Sequence, residues 1–481
     1  MGVTAGRLTV LVAIACLAAL TASGIQAGGT RARTYSTSRT IPLRTALVDP
    51  RLFGSAQHGT AFARSRAAGA TYVRLMVPWR SIAPATRPSG FVASDPNSPG
   101  YSWGGFDSIV QSAVSAGLTP ILDVNESPSW AYAVRPKGPN GGTPKASALG
   151  DFATALATHY DGSTAEVPAV DVFQVWNEPN LSLDMSPVSP STYRGMVNAF
   201  ADAVHAVDPA NLVIAGGLDP YGHPKGKHRV WYAVRPFAFM RSLLCLSKGS
   251  HPHSTCSASI HFDVWSHHPY TPYIDGGPFA RAKVSGDAEL GDLPTMRGLL
   301  QAGVRLHHVV SAHAVQFWVT EFGWNTNPPR KHAPSLGLAA RWTSESLYQM
   351  WRSGVSLVAW FLLEDLPSPS YYKSGLFFHA SSVGQARPKP VRTAFRFPFV
   401  AYRHRSTVSV WGRDATSDQE LVTLQRRHGK KGAWRTVARI RSNGSGIFRA
   451  SVRLTTSTPD WLRAIAPGSG KSLAFSLAPG S

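Results

Sequence analysis

The sequence predicts an α/β fold, a (β/α)8 barrel followed by a small C-terminal β-sandwich. Three observations carry this expectation. From Ile41 onward, apolar runs rich in β-branched and aromatic residues alternate with amphipathic runs of helical period, the signature of βαβ units on a parallel sheet. Eight such runs with seven helices between them close most naturally as a barrel. Near His404 the texture changes to short strands broken by turn residues, which reads as a sandwich. An open doubly wound sheet is the rival. It normally carries a Gly-rich phosphate turn after its first strand, and Asp49-Pro50-Arg51-Leu52 is not one.

The elements follow in order. Strand one is Thr45–Asp49, with a helix through Phe62–Arg66. Strand two is Thr71–Trp79, and the helix around Phe106–Ala116 ends at Gly117, a plausible cap. Strand three is Thr119–Asn125, followed by helix over Ser147–Tyr160. Strand four begins at Val170 and stops at Asn177-Glu178-Pro179-Asn180, because Pro179 has no amide hydrogen for a sheet ladder. A helix from Pro190 to about Val207 leads to strand five, Leu212–Gly217, and a helix carrying Phe237, Met240 and Leu243 follows. Strand six is read as Ile260–Tyr270, followed by helix from Pro294 to about Ala302. Strand seven carries Glu321, Leu338–Trp351 is helical in pattern, and strand eight is Ser356–Leu363. The expected domains are a signal segment at 1–27, the barrel over 28–400 and an Ig-like sandwich over 401–481. Trp411 and Trp434 of the sandwich read as core aromatics, so that the sandwich caps the barrel in preference to binding polysaccharide.

Composition sets the setting. Arg7, the apolar stretch from Leu8 to about Leu20 and the small residues near Ala27 make an export signal, too short for a membrane span. A secreted, extracellular protein is expected, with cell-wall association as an option and Cys16 as a weak lipid-anchor candidate. Removal of the signal leaves Cys245 and Cys256, an even count that favours one disulfide over a metal pair with His251 and His253. Lys+Arg number 48 against 27 Asp+Glu, a formal net charge of +21. The segment 401–481 holds 14 basic and 4 acidic residues. For an exported chain this favours an anionic glycan or wall polymer over nucleic acid, beside the plainer reading of a basic, soluble surface. A monomer is expected.

The chemistry lies at two strand ends. Glu178 closes strand four and Glu321 closes strand seven, the end at which parallel α/β folds keep their active sites. Glycosidic cleavage needs one carboxyl to protonate the leaving oxygen and another to capture the oxocarbenium-like centre. Two facing carboxyls also raise one pKa, which keeps the acid protonated near neutrality.

Trp176-Asn177-Glu178-Pro179 followed by Thr320-Glu321-Phe322-Gly323 resembles the signature of the clan A glycoside hydrolases, retaining (β/α)8 enzymes, closest to families 5 and 39. The resemblance spans about Thr45 to Val400. It implies Glu178 as general acid/base and Glu321 as nucleophile. It also implies Arg74 pairing with the nucleophile, Asn177 on the sugar 2-hydroxyl and His268 contacting the sugar. Tyr270 would bond the nucleophile, and Trp360 would form the aromatic floor under the cleaved sugar. Strand three departs from the family 5 pattern, with Asn125-Glu126-Ser127 where a histidine is common. Asn125, Glu126, Trp79, Trp130 and Trp324 are subsite candidates. No metal and no organic cofactor is implied. The expectation is a retaining β-glycoside hydrolase acting by double displacement on a polysaccharide or oligosaccharide. The rival is a non-catalytic wall-binding protein on the same scaffold, and transglycosylation shares the first half of the mechanism.

Overall fold

Alternating side chains on the barrel strands divide between two cores, and this division decides which residues reach the barrel mouth. A computed structural model describes residues 33–36, 40–136, 141–225, 231–272, 276–416, 419–429, 431–454 and 460–477. The expected signal segment and Cys16 lie outside them. Eight parallel strands close a barrel: β1 (Arg44–Val48), β2 (Tyr72–Pro78), β3 (Thr119–Asn125), β4 (Val172–Val175), β5 (Leu212–Leu218), β6 (Val264–His267), β7 (Gln316–Phe322) and β8 (Leu357–Phe361). β8 returns to β1 with Leu357 opposite Arg44 and Phe361 opposite Val48. Ala46, Val48, Ile121, Val172, Ile214, Val264, Trp318, Leu357 and Ala359 fill the barrel interior. Their strand neighbours Leu47, Val73, Leu122, Phe173, Val213, Val319 and Val358 belong to the larger outer core against the helices.

The longer helices among the described residues are α1 (His58–Ala67), α2 (Gly104–Ser115), α3 (Ala146–His159), α4 (Pro190–Val207), α5 (Pro236–Leu243), α6 (Leu293–Arg305), α7 (Leu336–Arg352) and α8 (Pro390–Arg396). α4 starts on a Ser189 cap, whose hydroxyl accepts from the Thr192 amide, with Pro190 at the first helical position. Ser335 caps α7 in the same way through the Leu338 amide.

Strand six is shorter than its apolar run. Ile260–His261 leaves the barrel and pairs with Val309–Val310. The break falls at Asp263, whose buried carboxylate accepts from the Val213 amide at 2.8 Å and the Ser311 hydroxyl at 2.6 Å. A side chain that bonds the backbone in this way displaces the sheet ladder. Cys245 and Cys256 form a disulfide after α5. Among the described residues, no helix is long and apolar enough to cross a membrane.

The C-terminal part forms antiparallel sheets: β9 (Phe399–His404), β10 (Thr407–Arg413) and β13 (Ile447–Arg453) in one, and β11 (Leu421–His428), β12 (Arg435–Arg441) and β14 (Asp460–Ala466) in the other. β9 begins before the expected change of texture. The N-terminal strand Arg33–Ser36 pairs parallel with β12. Trp411 is buried against Tyr348 and Trp351 of α7, each with ring centroids 5.4 Å away. That packing makes it core and not a sugar platform. Trp434 lies beneath Arg463 and Arg427, at 4.1 and 4.8 Å.

Candidate active site

The two glutamates reach the mouth by different backbone devices. After β4, Trp176 and Glu178 adopt positive φ of 68° and 37°, a conformation that non-glycine residues hold only where their surroundings fix it. Three bonds fix it here: Trp176 N to Val124 O at 3.1 Å, Glu178 N to Gly217 O at 3.2 Å, and the Trp176 indole to Asp184 O at 2.9 Å. On β7 the device is a bulge. Val319 pairs with Val358 and Phe322 with Trp360, so two residues of β7 face one of β8. Val319 and Phe322 both pack in the outer core, which leaves Thr320 and Glu321 together on the mouth side. A second irregularity inserts Gly217 between the residues that pair with Ser266 and His267. Next to it, Gly216 has φ 98°, and a Cβ there would lie 2.3 Å from Ser266 O. No other residue fits at Gly216.

These devices converge on His268. Its Nδ1 lies 2.9 Å from Glu178 Oε1 and 3.2 Å from Glu321 Oε2, and its Nε2 lies 3.1 Å from Thr320 Oγ1. The Thr320 hydroxyl can donate to Nε2, which leaves the ring proton on Nδ1 for the carboxylates. A ligand atom from each of the three residues lies within 4.8 Å of the others. The His268 side chain is fully buried, whereas Glu178 and Glu321 keep 15% and 14% of theirs exposed. Burial lowers the His268 pKa to about 3, so the ring stays neutral. Burial, reinforced by the charge of Glu321, raises Glu178 to about 8. The three donors are of a kind that binds a divalent cation. However, Nδ1 already stands at hydrogen-bond distance from both carboxylates, where such an ion would have to sit.

Arg74 lies inside the barrel beneath them. Its Nη2 donates to Asp123 Oδ2 at 3.0 Å and Asn177 Oδ1 at 2.7 Å, and its Nε to Gln174 Oε1 at 3.1 Å. Its buried ion partner is therefore Asp123, not Glu321, because Arg74 and Asp123 both point inward from adjacent strands. Burial raises Asp123 to about 6 against the opposing charge of Arg74. Asn177 is held at both ends of its amide, its Nδ2 donating to Asp184 Oδ1 at 3.1 Å. Burial and then the charge of Glu178 push the Asp184 carboxyl well above its usual range.

The cleft over these groups measures about 450 Å³ and includes Glu178, Glu321, Asn177, Asp184, Tyr270, Tyr372, Asn125 and Glu126. An adjoining cavity of about 370 Å³ shares Tyr270 and Tyr372 and adds Asp219 and Trp324. Tyr270 stands beside Glu321, and burial followed by that charge raises its hydroxyl pKa well above the usual value. Tyr372 is raised to about 12 for the same reasons.

Besides Arg74, several other expectations change. His268 is a buried bridge between the glutamates, with both ring nitrogens engaged, not a sugar contact. Trp360 points away from the mouth, since Leu357 and Ala359 face inward. It packs on Phe322 and Phe395 in the outer core, with its indole donating to Ser374 O at 2.8 Å. Phe361 takes the inward place and meets Tyr372 at 5.0 Å and Tyr270 at 6.4 Å. Trp79 is likewise core, stacked on Phe152 at 4.9 Å, and Trp130 is held by a bond from its indole to Pro84 O. Sequence reading missed Asp123, Asp184, Asp219, Phe361 and Tyr372. Inward alternation on β3 pointed to Asp123, and the same parity on β8 pointed to Phe361.

Residues 31–360 match the family described as Cellulase (glycosyl hydrolase family 5). The chain belongs to glycosyl hydrolase family 5. This family 5 glycosidase is also similar in fold to solved family 39 structures. One is the family 39 enzyme from Xanthomonas axonopodis pv. citri, with TM-score 0.51 and 15% identity over 90% of this chain and 96% of that one. Another is a family 39 β-xylosidase from Caulobacter crescentus, with TM-score 0.50 and 16% identity over 82% of this chain and 86% of that one. A third, from the gut symbiont Bacteroides cellulosilyticus WH2, has TM-score 0.50 and 16% identity over 88% and 81% of the two chains. No curated protein matches the sequence of this family 5 glycosidase.

Proposed function

We propose that the chain is an exported, retaining β-glycosidase in which Glu321 is the nucleophile and Glu178 the general acid/base. One observation carries the reading: the two carboxyls meet across the barrel mouth with ligand oxygens within 4.8 Å. Retaining enzymes hold their carboxyls about 5–5.5 Å apart, whereas inverting enzymes leave ~6.5–9.5 Å for a water between them. Glu178 protonates the leaving oxygen as Glu321 attacks the anomeric carbon. Water activated by the same Glu178 then frees the glycosyl-enzyme. His268 keeps both carboxyls aligned, and Asn177, tied to Arg74 and Asp184, meets the 2-hydroxyl. The disulfide and the apolar leader support export.

The mouth favours a neutral sugar over a uronate. Glu178, Glu321, Asp184 and Glu126 share the cleft, and Arg80 at its rim is already paired with Glu126 at 3.1 Å. Arg74 below is matched by Asp123. Burial holds Glu178 and Asp184 toward the protonated form, so the charge that a substrate carboxylate meets is chiefly that of Glu321, which repels it. The β-xylosidase neighbour adds weight to aryl β-xylosides as first substrates.

The test is hydrolysis of aryl β-glycosides by wild type, Glu321→Ala and Glu178→Gln, with EDTA in a parallel arm. Expected are loss of turnover in Glu321→Ala and at least ~10²-fold loss in Glu178→Gln on poor leaving groups. Melting curves should remain cooperative, and EDTA should leave the wild type unchanged. Retained turnover in either variant would sink the assignment, and loss in EDTA would move the three donors to a metal role.

A further inference from the structure

We propose that the underside of the barrel, at the opposite end from the mouth, holds a binding site for an oxyanion: the phosphate or carboxylate of an anionic polymer. A cavity of about 700 Å³ opens between the amino ends of β1 and β2 and the C-terminal sheets. Four arginines line it, Arg44, Arg66, Arg396 and Arg413, against one acid, Asp414.

Arg413 is the residue that needs explaining. It is 4% exposed, and among the described residues its Nε and Nη1 have no hydrogen-bond partner. Asp414, next in sequence, directs its oxygens elsewhere: Ser469 and Thr416 hydroxyls donate to it. Arg396 donates to the carbonyls of Ser469 and Gly468 at 3.3 and 3.2 Å, and Arg66 to Ala70 O at 3.4 Å. Bonds to carbonyls satisfy N–H groups without neutralising charge. Of the other buried cations, Lys373 donates to Leu366 O at 2.6 Å, and two are paired with acids. Arg74 has Asp123, Gln174 and Asn177, and Lys389 Nζ lies 2.6 Å from Asp365 Oδ1.

A buried guanidinium left with open N–H groups is costly, and such groups in native proteins call for a missing partner or ion. Guanidinium donors match the oxygens of phosphate and carboxylate, in bidentate pairs where geometry allows. Burial also lowers the Arg413 pKa, to about 10, which still leaves it charged at neutral pH. The formal charge of +21 suits an anionic partner that the acidic mouth would reject. This site stands apart from the glycosidase reading and survives if that reading fails.

The test uses the full-length protein with sodium phosphate and sodium glucuronate, set against sodium chloride at matched ionic strength and against glucose. Melting temperature and calorimetric binding are followed in wild type, Arg413→Met and Arg44→Gln. A rise in melting temperature with phosphate or glucuronate, absent with chloride and glucose, is expected, and the stronger anion names the source. Arg413→Met should weaken binding at least ~10-fold, Arg44→Gln should weaken it less, and aryl glycoside hydrolysis should be unchanged. In anion-free buffer Arg413→Met should melt no lower than wild type, because it removes an unpaired charge. An equal response to chloride, an intact anion response in Arg413→Met, or a lower melting point for that variant without anions would each overturn the site.

Discussion

Glu178 owes its elevated pKa to burial and to Glu321 facing it. Its folded value of about 8 stands above the ordinary 4.5, so the protonated acid persists through neutral pH and is lost as pH rises through 8. The alkaline limb of kcat/KM should therefore fall near pH 8, read from a pH–rate profile on an aryl glycoside. Removing the facing charge in Glu321→Gln should move the Glu178 titration down, measured by carboxyl NMR. The same linkage acts on stability: the folded state binds this proton more tightly, so its contribution is full below pH 4.5 and is lost as pH rises to 8. Both glutamates were legible in the sequence because each ends an apolar strand. Asp184 was not. It lies in the loop after Pro179, where no periodicity says which way a side chain turns.

At the scale of the element, side-chain parity governs what the mouth contains. One position on β8 separates a core tryptophan from a cleft phenylalanine, and the two make opposite predictions. Trp360→Ala should lower stability by ~3–5 kcal/mol with little change in KM, since it empties an outer-core site. Phe361→Ala should raise KM with a smaller stability loss, since it removes an aromatic wall shared with Tyr270 and Tyr372. Denaturant melts and Michaelis curves on the two variants distinguish the outcomes. Alternation was readable on β8. The bulge that turns Glu321 to the mouth was not, because an inserted residue changes parity without a signature in composition.

For the whole molecule, the order of eight strands was legible because each pairs with a neighbour through an ordinary βα connection. The Arg33–Ser36 strand was not legible, since its partner lies near the other terminus. The C-terminal sheets also shield the barrel: Trp411 covers Tyr348 and Trp351 of α7. Ending the chain after position 404 should uncover those rings and produce a protein that elutes as aggregates in size-exclusion chromatography. A monodisperse, active truncation would show that the sheets are dispensable to the barrel.

The pairing of Arg33 with Ala438 also has a temporal side. During synthesis Arg33–Ser36 emerges long before β12 and cannot pair with it until that strand has been made. Nascent chains fold from the front as they appear, but this lead-in has no partner until the tail arrives. Arg33–Ser36 therefore gains its sheet partner only once β12 has been made, so the closing of this sheet is a late event in the life of the chain.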